Sequence, residues 1–431
     1  TKPAFELTLA SGRRITATAN HKFLTYDGWM PLAELMPGSR IGSVRHVPAP
    51  LAVIPRDDDE VVLLAHLLGA GSFAPGRPIR YAGTNDANLS AAGEAAARRF
   101  GIRPVTEDFA NGGITMLRLP APLPLGGSRR DPVAAWLAEA DLTAMGNDEK
   151  FVPDWVFSMP KAQIGLFLRH IWATCGSVYY DDRHQLCTIR YASTSRRMVD
   201  DLARLLLRFN VFTRIKRART SGDRVWWHLQ VEGREDQLRF LDKVGAYGRH
   251  SDAATALAAK LRGAETALDT GADEVWRHVR DVMTGSQPNH ADLATTADAH
   301  GPIATMQMSA GDTTRLRKVA GVLGEADLEV QATNDVRWDA IISIEPVGER
   351  PVYDATVMGL HNFVVEGIAA HNSLEQDADM VILLHRDDVY ERESTRPGEA
   401  DLIVAKHRNG PTRDITVAFQ GHYSRFVDMA H

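Results

Sequence analysis

Three consecutive residues, His371-Asn372-Ser373, carry the side chains with the clearest chemical use. An asparagine amide nitrogen can attack its own main-chain carbonyl, close a succinimide ring and release the following residue as a new amine. His371 can donate a hydrogen bond to that carbonyl as charge builds on its oxygen. Ser373 offers a hydroxyl able to carry an acyl group. Alone, such a tripeptide is an ordinary polar turn. The run before it, Val352 to Gly367, reads as two short strands joined by a turn at Met358-Gly359-Leu360-His361-Asn362. That hairpin brings Asp354 and His361 toward the same neighbourhood.

The elements that must position these groups come from both ends of the chain. Near the start, Phe5–Leu9 alternates in polarity, Ser11-Gly12 is a turn and Arg14–Thr18 returns. Lys22–Thr25, a turn at Asp27-Gly28, and Pro37-Gly38 leading into Ile41 follow. Between the first hairpins lies Thr18-Ala19-Asn20-His21. Together with the His-Asn-Ser end, this pattern resembles inteins, the protein-splicing elements. The resemblance implies that Thr18 and His21 act on the upstream splice junction. It implies that His371 polarises the carbonyl of Asn372, that His361 serves as base or proton shuttle, and that Asp354 couples the steps. Ser373 would be the downstream nucleophile. The family's first nucleophile would lie before Thr1. The expectation is therefore a fragment of such an element, with a separately supplied N-terminal piece acting in trans as the alternative.

Composition bounds the remainder. With 431 residues the chain is long enough for two or three domains, and 44% hydrophobic and 24% charged residues are ordinary for a soluble globular protein. A net charge of -6 gives no chain-wide attraction to nucleic acid, so DNA binding requires a local patch. Two cysteines, Cys175 and Cys187, supply no disulfide framework and suit a reducing cytoplasm. No apolar run is long enough to span a bilayer, and the first residues lack a signal-peptide core.

Two apolar helices ending in glycine, Val61–Gly71 and Phe167–Gly176, resemble the paired helices of LAGLIDADG homing endonucleases. Each helix of that family ends in an acid that binds a divalent metal over the scissile phosphate. Here the acid positions hold Ala70 and Cys175. Alanine offers no ligand and a thiol suits Mg2+ poorly, so the nuclease is expected to be inactive. Asn85-Asp86-Ala87-Asn88-Leu89 opens an Ala-rich helix to Phe100, and Ser193-Thr194-Ser195 caps another through Arg208. Arg214, Lys216, Arg217 and Arg219, beside Trp226 and Trp227, form a candidate DNA-binding patch. A solvated basic face over two core tryptophans is the equal alternative. Residues 263–332 carry no functional pattern and read as a weakly helical connector.

After Asn372 the character changes. Met380–Leu384 is a fully apolar strand, as in a parallel α/β sheet, and Ala400–Lys406 and Ile415–Phe419 are further strands. Glu375-Gln376-Asp377-Ala378-Asp379 and Lys406-His407-Arg408-Asn409-Gly410-Pro411-Thr412 resemble the C-terminal end of the hexameric bacterial replicative helicases of the DnaB type. In that family the Lys-x-Arg turn reaches a neighbouring subunit's ATP, which maps to Lys406 and Arg408. No Gly-x-x-x-x-Gly-Lys-Ser/Thr loop occurs in the sequence.

The fold expected is mixed: a β-rich splicing (Hint) fold over 1–50 and 333–372, an α+β LAGLIDADG unit over 51–262, and the last α/β (RecA-like) piece of a helicase over 373–431. The function expected is autocatalytic splicing of a helicase precursor, without a cofactor. Mg2+ would serve only an active endonuclease, and ATP with Mg2+ only the parent helicase. Implied partners are the N-terminal segment, duplex DNA and the helicase homohexamer, with no membrane. The alternatives are a LAGLIDADG DNA-binding protein or endonuclease, and an ATP-dependent helicase fragment.

Overall fold

The computed structural model describes residues 1–73, 78–83, 85–109, 114–120, 131–143, 145–181, 186–219, 225–263, 336–352, 362–371, 380–386, 396, 398–407, 413–420 and 425–428. The chain opens with β1 (Lys2–Leu9), β2 (Arg14–Thr18), β3 (Lys22–Thr25), β4 (Gly28–Pro31) and β5 (Arg40–Val44). Alternation in β1 and β2 buries Leu7, Leu9, Ile15 and Ala17 on one face. Gly12, Gly28 and Gly38 all take positive φ at the connecting turns.

A helical unit follows, built twice on one plan. Its first half is α1 (Asp58–Ala70), β6 (Gly71–Ser72), β7 (Ile79–Gly83), α2 (Asp86–Phe100), β8 (Val105–Phe109) and β9 (Ile114–Leu119). Then come α3 (Pro132–Glu139) and α4 (Asp154–Phe157). The second half is α5 (Lys161–Cys175), β10 (Gly176–Asp181), β11 (Leu186–Ser193), α6 (Arg196–Leu207), β12 (Thr213–Arg219), β13 (Val225–Val231) and α7 (Arg234–Lys243), closed by α8 (Ser251–Gly263). The sheets run β6-β7-β9-β8 and β10-β11-β13-β12, the same order twice. Gly71 pairs with Tyr81 and Gly176 with Tyr191. The helix starts agree too: the side chain of Asn85 accepts from the Asn88 amide and that of Ser195 from the Met198 amide. Both ends use a left-handed residue, Gly101 at φ 64° and Asn210 at φ 58°. The tetrapeptide Ile-Arg-Tyr-Ala occurs at 79–82 and again at 189–192. The two halves are thus a sequence repeat as well as a structural one, and they share one hydrophobic core.

The chain then returns to the first sheet through β14 (Val336–Arg350), β15 (Asn362–Val365) and β16 (Ile368–His371). That sheet has eight strands in the order β2-β1-β14-β5-β16-β3-β4, with β15 on β16. Strands from both ends of the sequence therefore interleave around a separate core of Leu7, Leu9, Phe23, Ile41, Ile341 and Ile368. The hairpin into β16 turns at Glu366-Gly367, one step later than the turn read from sequence at Met358–Asn362. That earlier turn lies, except for Asn362, outside the described residues, as does the proposed connector beyond 263.

The last four strands are β17 (Met380–His385), β18 (Glu399–His407), β19 (Asp414–Gln420) and β20 (Arg425–Asp428). Here the expectation of a parallel α/β piece is corrected. All three pairings are antiparallel, forming a β17-β18-β19-β20 meander. A continuous apolar run such as Met380–Leu384 signals burial, and it carries no information on pairing direction.

Candidate functional site

One site gathers at the end of the first sheet. Thr18 is the last residue of β2 and pairs with Ala4. The chain turns at once, and the His21 amide donates to the Thr18 carbonyl at 3.0 Å. The His21 carbonyl in turn accepts from the Leu32 amide at 2.8 Å, which holds this turn against the residue that follows β4. The His21 ring meets Phe23 edge-on at 5.2 Å and Phe363 at 6.1 Å. From the other end of the sequence, β16 joins the edge of β3, with Ala370 opposite Phe23 and His371 opposite Lys22. Phe23 is fully buried, so it anchors both strands. The His371 ring sits edge-on to Trp29 at 5.0 Å. Thr18, His21 and His371 are thereby brought to one region, as strand pairing requires. Asp354, His361, Asn372 and Ser373 lie outside the described residues.

A second site lies where α1 and α5 end. The helices approach so closely that a Cβ on Gly69 would fall 1.9 Å from Thr174 Oγ1. Ala70 and Cys175 close the two helices, and Cys175 Sγ faces the Gly69 carbonyl at 3.5 Å. Between the helices, His66 Nε2 and His170 Nδ1 are 3.1 Å apart, and His66 Nδ1 lies 3.0 Å from the Tyr81 hydroxyl. Burial holds His66 down to about 3 and His170 to about 4, so both are neutral at pH 7. The buried Lys150 ammonium donates to the carbonyls of Gly71 at 2.7 Å and Leu67 at 3.2 Å. It adds a second donor to the Leu67 carbonyl, which already accepts from the Gly71 amide, and places a cation at the negative end of the α1 dipole. Burial lowers Lys150 to about 8.

This helix-end chemistry does not suit a hard divalent metal. Ala70 has no donor atom. Burial pushes the Cys175 thiol up, so it stays protonated. Lys150 and Cys175 line the same cleft of about 600 Å³, so an ammonium already stands there. Among the described residues no three His, Cys, Asp or Glu side chains cluster as a metal would need. Asp181 ends β10, opposite Leu186, at the far end of that strand from Cys175; Asp182 lies outside the described residues.

The candidate DNA patch divides. Alternation puts Arg214 and Lys216 on the face of β12 opposite the buried Thr213 and Ile215, and puts Arg217 on the other face. Arg219 continues β12, and its side chain lies outside the described residues. Glu232 pairs with Arg214 at 3.2 Å and with Lys216 at 2.7 Å. The same outer face gains cations not singled out from the sequence. Arg190, Gln230 and Arg214 stand in one cross-strand row. In the other half Arg80 stands opposite Arg118, and Arg118 pairs with Glu107 at 2.9 Å. The recurring Ile-Arg-Tyr-Ala tetrapeptide is the signal that would have revealed Arg80 and Arg190. Trp227 faces away from this surface, covered by Arg196 at 4.7 Å and Arg14 at 5.6 Å. In the tail, Lys406 is paired with Val381 through the backbone of β18; its side chain and Arg408 lie outside the described residues. Among the described residues no helix is long and apolar enough to cross a membrane.

Comparison with known proteins agrees with two of these regions. Residues 162–245 match the LAGLIDADG-like domain family, and residues 364–428 match the DnaB-like helicase C terminal domain family. The replicative DNA helicase DnaB of Rhodothermus marinus is 35% identical over 442 residues, covering 99% of this chain and 46% of that protein. The Nostoc sp. protein of the same name is 36% identical over 441 residues, covering 100% and 49%. That of Leifsonia xyli is 71% identical over 58 residues, 14% of this chain and 13% of its own. The chain thus spans about half the length of the two long-matching relatives. Among solved structures, I-DmoI in complex with DNA and Mn aligns at 9% identity and TM-score 0.31, over 44% of this chain and 97% of its own. Full-length DUF199/WhiA from Thermatoga maritima aligns at 11% and 0.32, over 65% and 92%. The chain contains a LAGLIDADG homing-endonuclease-like domain in a setting related to DnaB replicative helicases.

Proposed function

We propose that residues 1–372 belong to a protein-splicing element interrupting a replicative helicase, and that the chain cleaves itself between Asn372 and Ser373. The Asn372 amide nitrogen attacks the Asn372 carbonyl carbon. The bond to the Ser373 nitrogen breaks, that nitrogen leaves as an amine with the proton lost by the amide, and a succinimide remains. His371 donates to the carbonyl oxygen, with His361 as base or proton shuttle and Asp354 as the coupling acid. Thr18 and His21 serve the upstream junction, and Ser373 is the acceptor for the chain arriving from it. The observation that carries this reading is the pairing of β16 with β3, which sets His371 beside the Thr18–His21 turn.

The relatives support the same layout. Some helicases match along about 440 residues and another along 58. Those lengths are expected if some helicases carry the interrupting element and others align only with the tail after Asn372. In that tail Lys406 and Arg408 are assigned to a neighbouring subunit's ATP site in the assembled, Mg2+- and ATP-using hexamer. The inserted domain binds duplex DNA through the outer face bearing Arg80, Arg190 and Arg214, and it does not cut it.

Intact-mass measurement of freshly purified chain, before and after incubation at neutral pH, tests the cleavage. A fragment beginning at Ser373 is expected from the wild type and not from Asn372→Ala. A wild-type chain that stays whole overturns the reading.

A further inference from the structure

The turn that leads into β16 is made of residues poorly suited to it. Glu366 has φ 51° and Gly367 φ 75°. With Val365 opposite Ile368, this is a two-residue hairpin needing positive φ at both central positions, for which Asn-Gly is the preferred pair. Glycine meets that need freely, but glutamate does not. Such an outlier persists where its surroundings over-determine it.

The surroundings come from the inserted domain. Arg204 of α6 reaches Glu366 Oε1 at 3.6 Å, and stacks on Phe157 at 5.0 Å while pairing with Asp201. Gly367 is packed so tightly that a Cβ there would lie 3.0 Å from Arg13 Nε and 3.2 Å from Leu207 Cδ1. Its carbonyl accepts from the Val44 amide at 2.8 Å. Arg13, 3% exposed, is itself tied to the insertion. It donates to the Thr213 carbonyl at 3.0 Å and lies over Phe212 at 4.1 Å. The Ile215 amide donates to the Ser11 carbonyl at 2.7 Å, and Arg196 to the Gly12 carbonyl at 2.6 Å. Val44, Leu207 and Phe212 close a small apolar cluster across the junction.

The turn governs everything after it in β16. In a hairpin, the turn sets the register, and a slip of one residue moves every side chain to the opposite face. His371 is the last residue of β16, so its contact with Trp29 exists only in the present register.

We infer that the inserted domain positions the cleavage strand: Arg204, with Arg13, holds the Glu366-Gly367 turn in its left-handed form and so fixes where His371 points. This inference rests on the splicing reading for its purpose, and on the turn geometry for its substance. Arg204 is a positioning residue acting through Glu366.

The test uses the full chain as wild type, Arg204→Ala, Glu366→Asn and the double variant. Asparagine adopts the left-handed region readily, so Glu366→Asn removes the need for Arg204. Amide hydrogen exchange across Ile368–His371 is read first, because it does not depend on cleavage. Exchange is expected to quicken about 2–5-fold in Arg204→Ala, the factor equivalent to a half-exposed ion pair. It is expected to return to the wild-type rate in the double variant. An unchanged rate in Arg204→Ala, or a double variant as fast as the single, overturns the inference; the second result would mean that Arg204 merely supports α6. Release of the Ser373 fragment should follow the same pattern, slow in the single variant and rescued in the double. Absence of that fragment from the wild type overturns the splicing reading, while the exchange rates still judge the turn.

Discussion

Lys22 and His371 are direct cross-strand partners between β3 and β16, although they come from opposite ends of the sequence. The pairing makes the Thr18–His21 turn and the end of β16 at His371 neighbours in one sheet.

His371→Ala should therefore slow release of the Ser373 fragment by about 10²–10³-fold, the usual loss for one oxyanion donor. His21→Ala should leave that release nearly unchanged, since His21 packs on Phe23 and Phe363 rather than on Trp29. Time courses by intact mass measure both.

Gly69→Ala places a methyl on top of the Thr174 side chain. Overpacking at such a helix contact costs about 1–3 kcal/mol, and the thermal midpoint should fall accordingly. Pairing it with Thr174→Ala should recover only part of the loss, because that variant removes Oγ1 and Cγ2 but keeps Cβ, 2.6 Å from the new methyl.

Low pH should loosen the same helix pair. His66 and His170 are held neutral by burial, at about 3 and about 4, whereas the unfolded chain titrates near 6.5. Between those limits the unfolded state binds more protons. Stability is thus complete above about pH 6.5 and declines as pH falls through that window. A loss of about 2–5 kcal/mol by pH 4.5 is the expected order. Denaturant titrations at several pH values should show it, with a shallower slope in His170→Gln.

Divalent metal should not matter to the wild type. Its melting temperature should be the same in Mg2+ and in EDTA, and a plasmid carrying the uninterrupted helicase site should stay uncut. Ala70→Asp with Cys175→Asp restores two oxygen donors at the helix ends, and a Mg2+-dependent rise in melting temperature is expected from it. A wild type that melts higher in Mg2+ would contradict the assignment.

Duplex DNA binding should depend on the outer sheet face. Arg80→Gln and Arg190→Gln should each weaken binding across sequences and reduce the salt slope by about 1. Arg217→Gln, on the other face of β12, should change it less. Fluorescence anisotropy over a salt series distinguishes these outcomes.

Much of this molecule is legible in local sequence, because element type and buried face are encoded within a few residues. Asn85 and Ser195 announce α2 and α6, Gly71 and Gly176 follow the ends of α1 and α5, and alternation in Phe5–Leu9 and Arg14–Thr18 marks the first hairpin. The repeated Ile-Arg-Tyr-Ala is legible as well, and with it the twofold plan of the helical unit. The chemistry of His371-Asn372-Ser373 is likewise a property of covalent neighbours. Tertiary structure alone decided what those elements meet. The facing of Lys22 and His371, the hydrogen-bonded pair His66 and His170 and the ammonium of Lys150 at the α1 end all involve partners far apart in sequence. A local pattern specifies which face of an element is apolar. The strand or helix that covers that face is selected by packing the whole chain, and for Arg204 and Glu366 that selection joins α6 to the turn before β16.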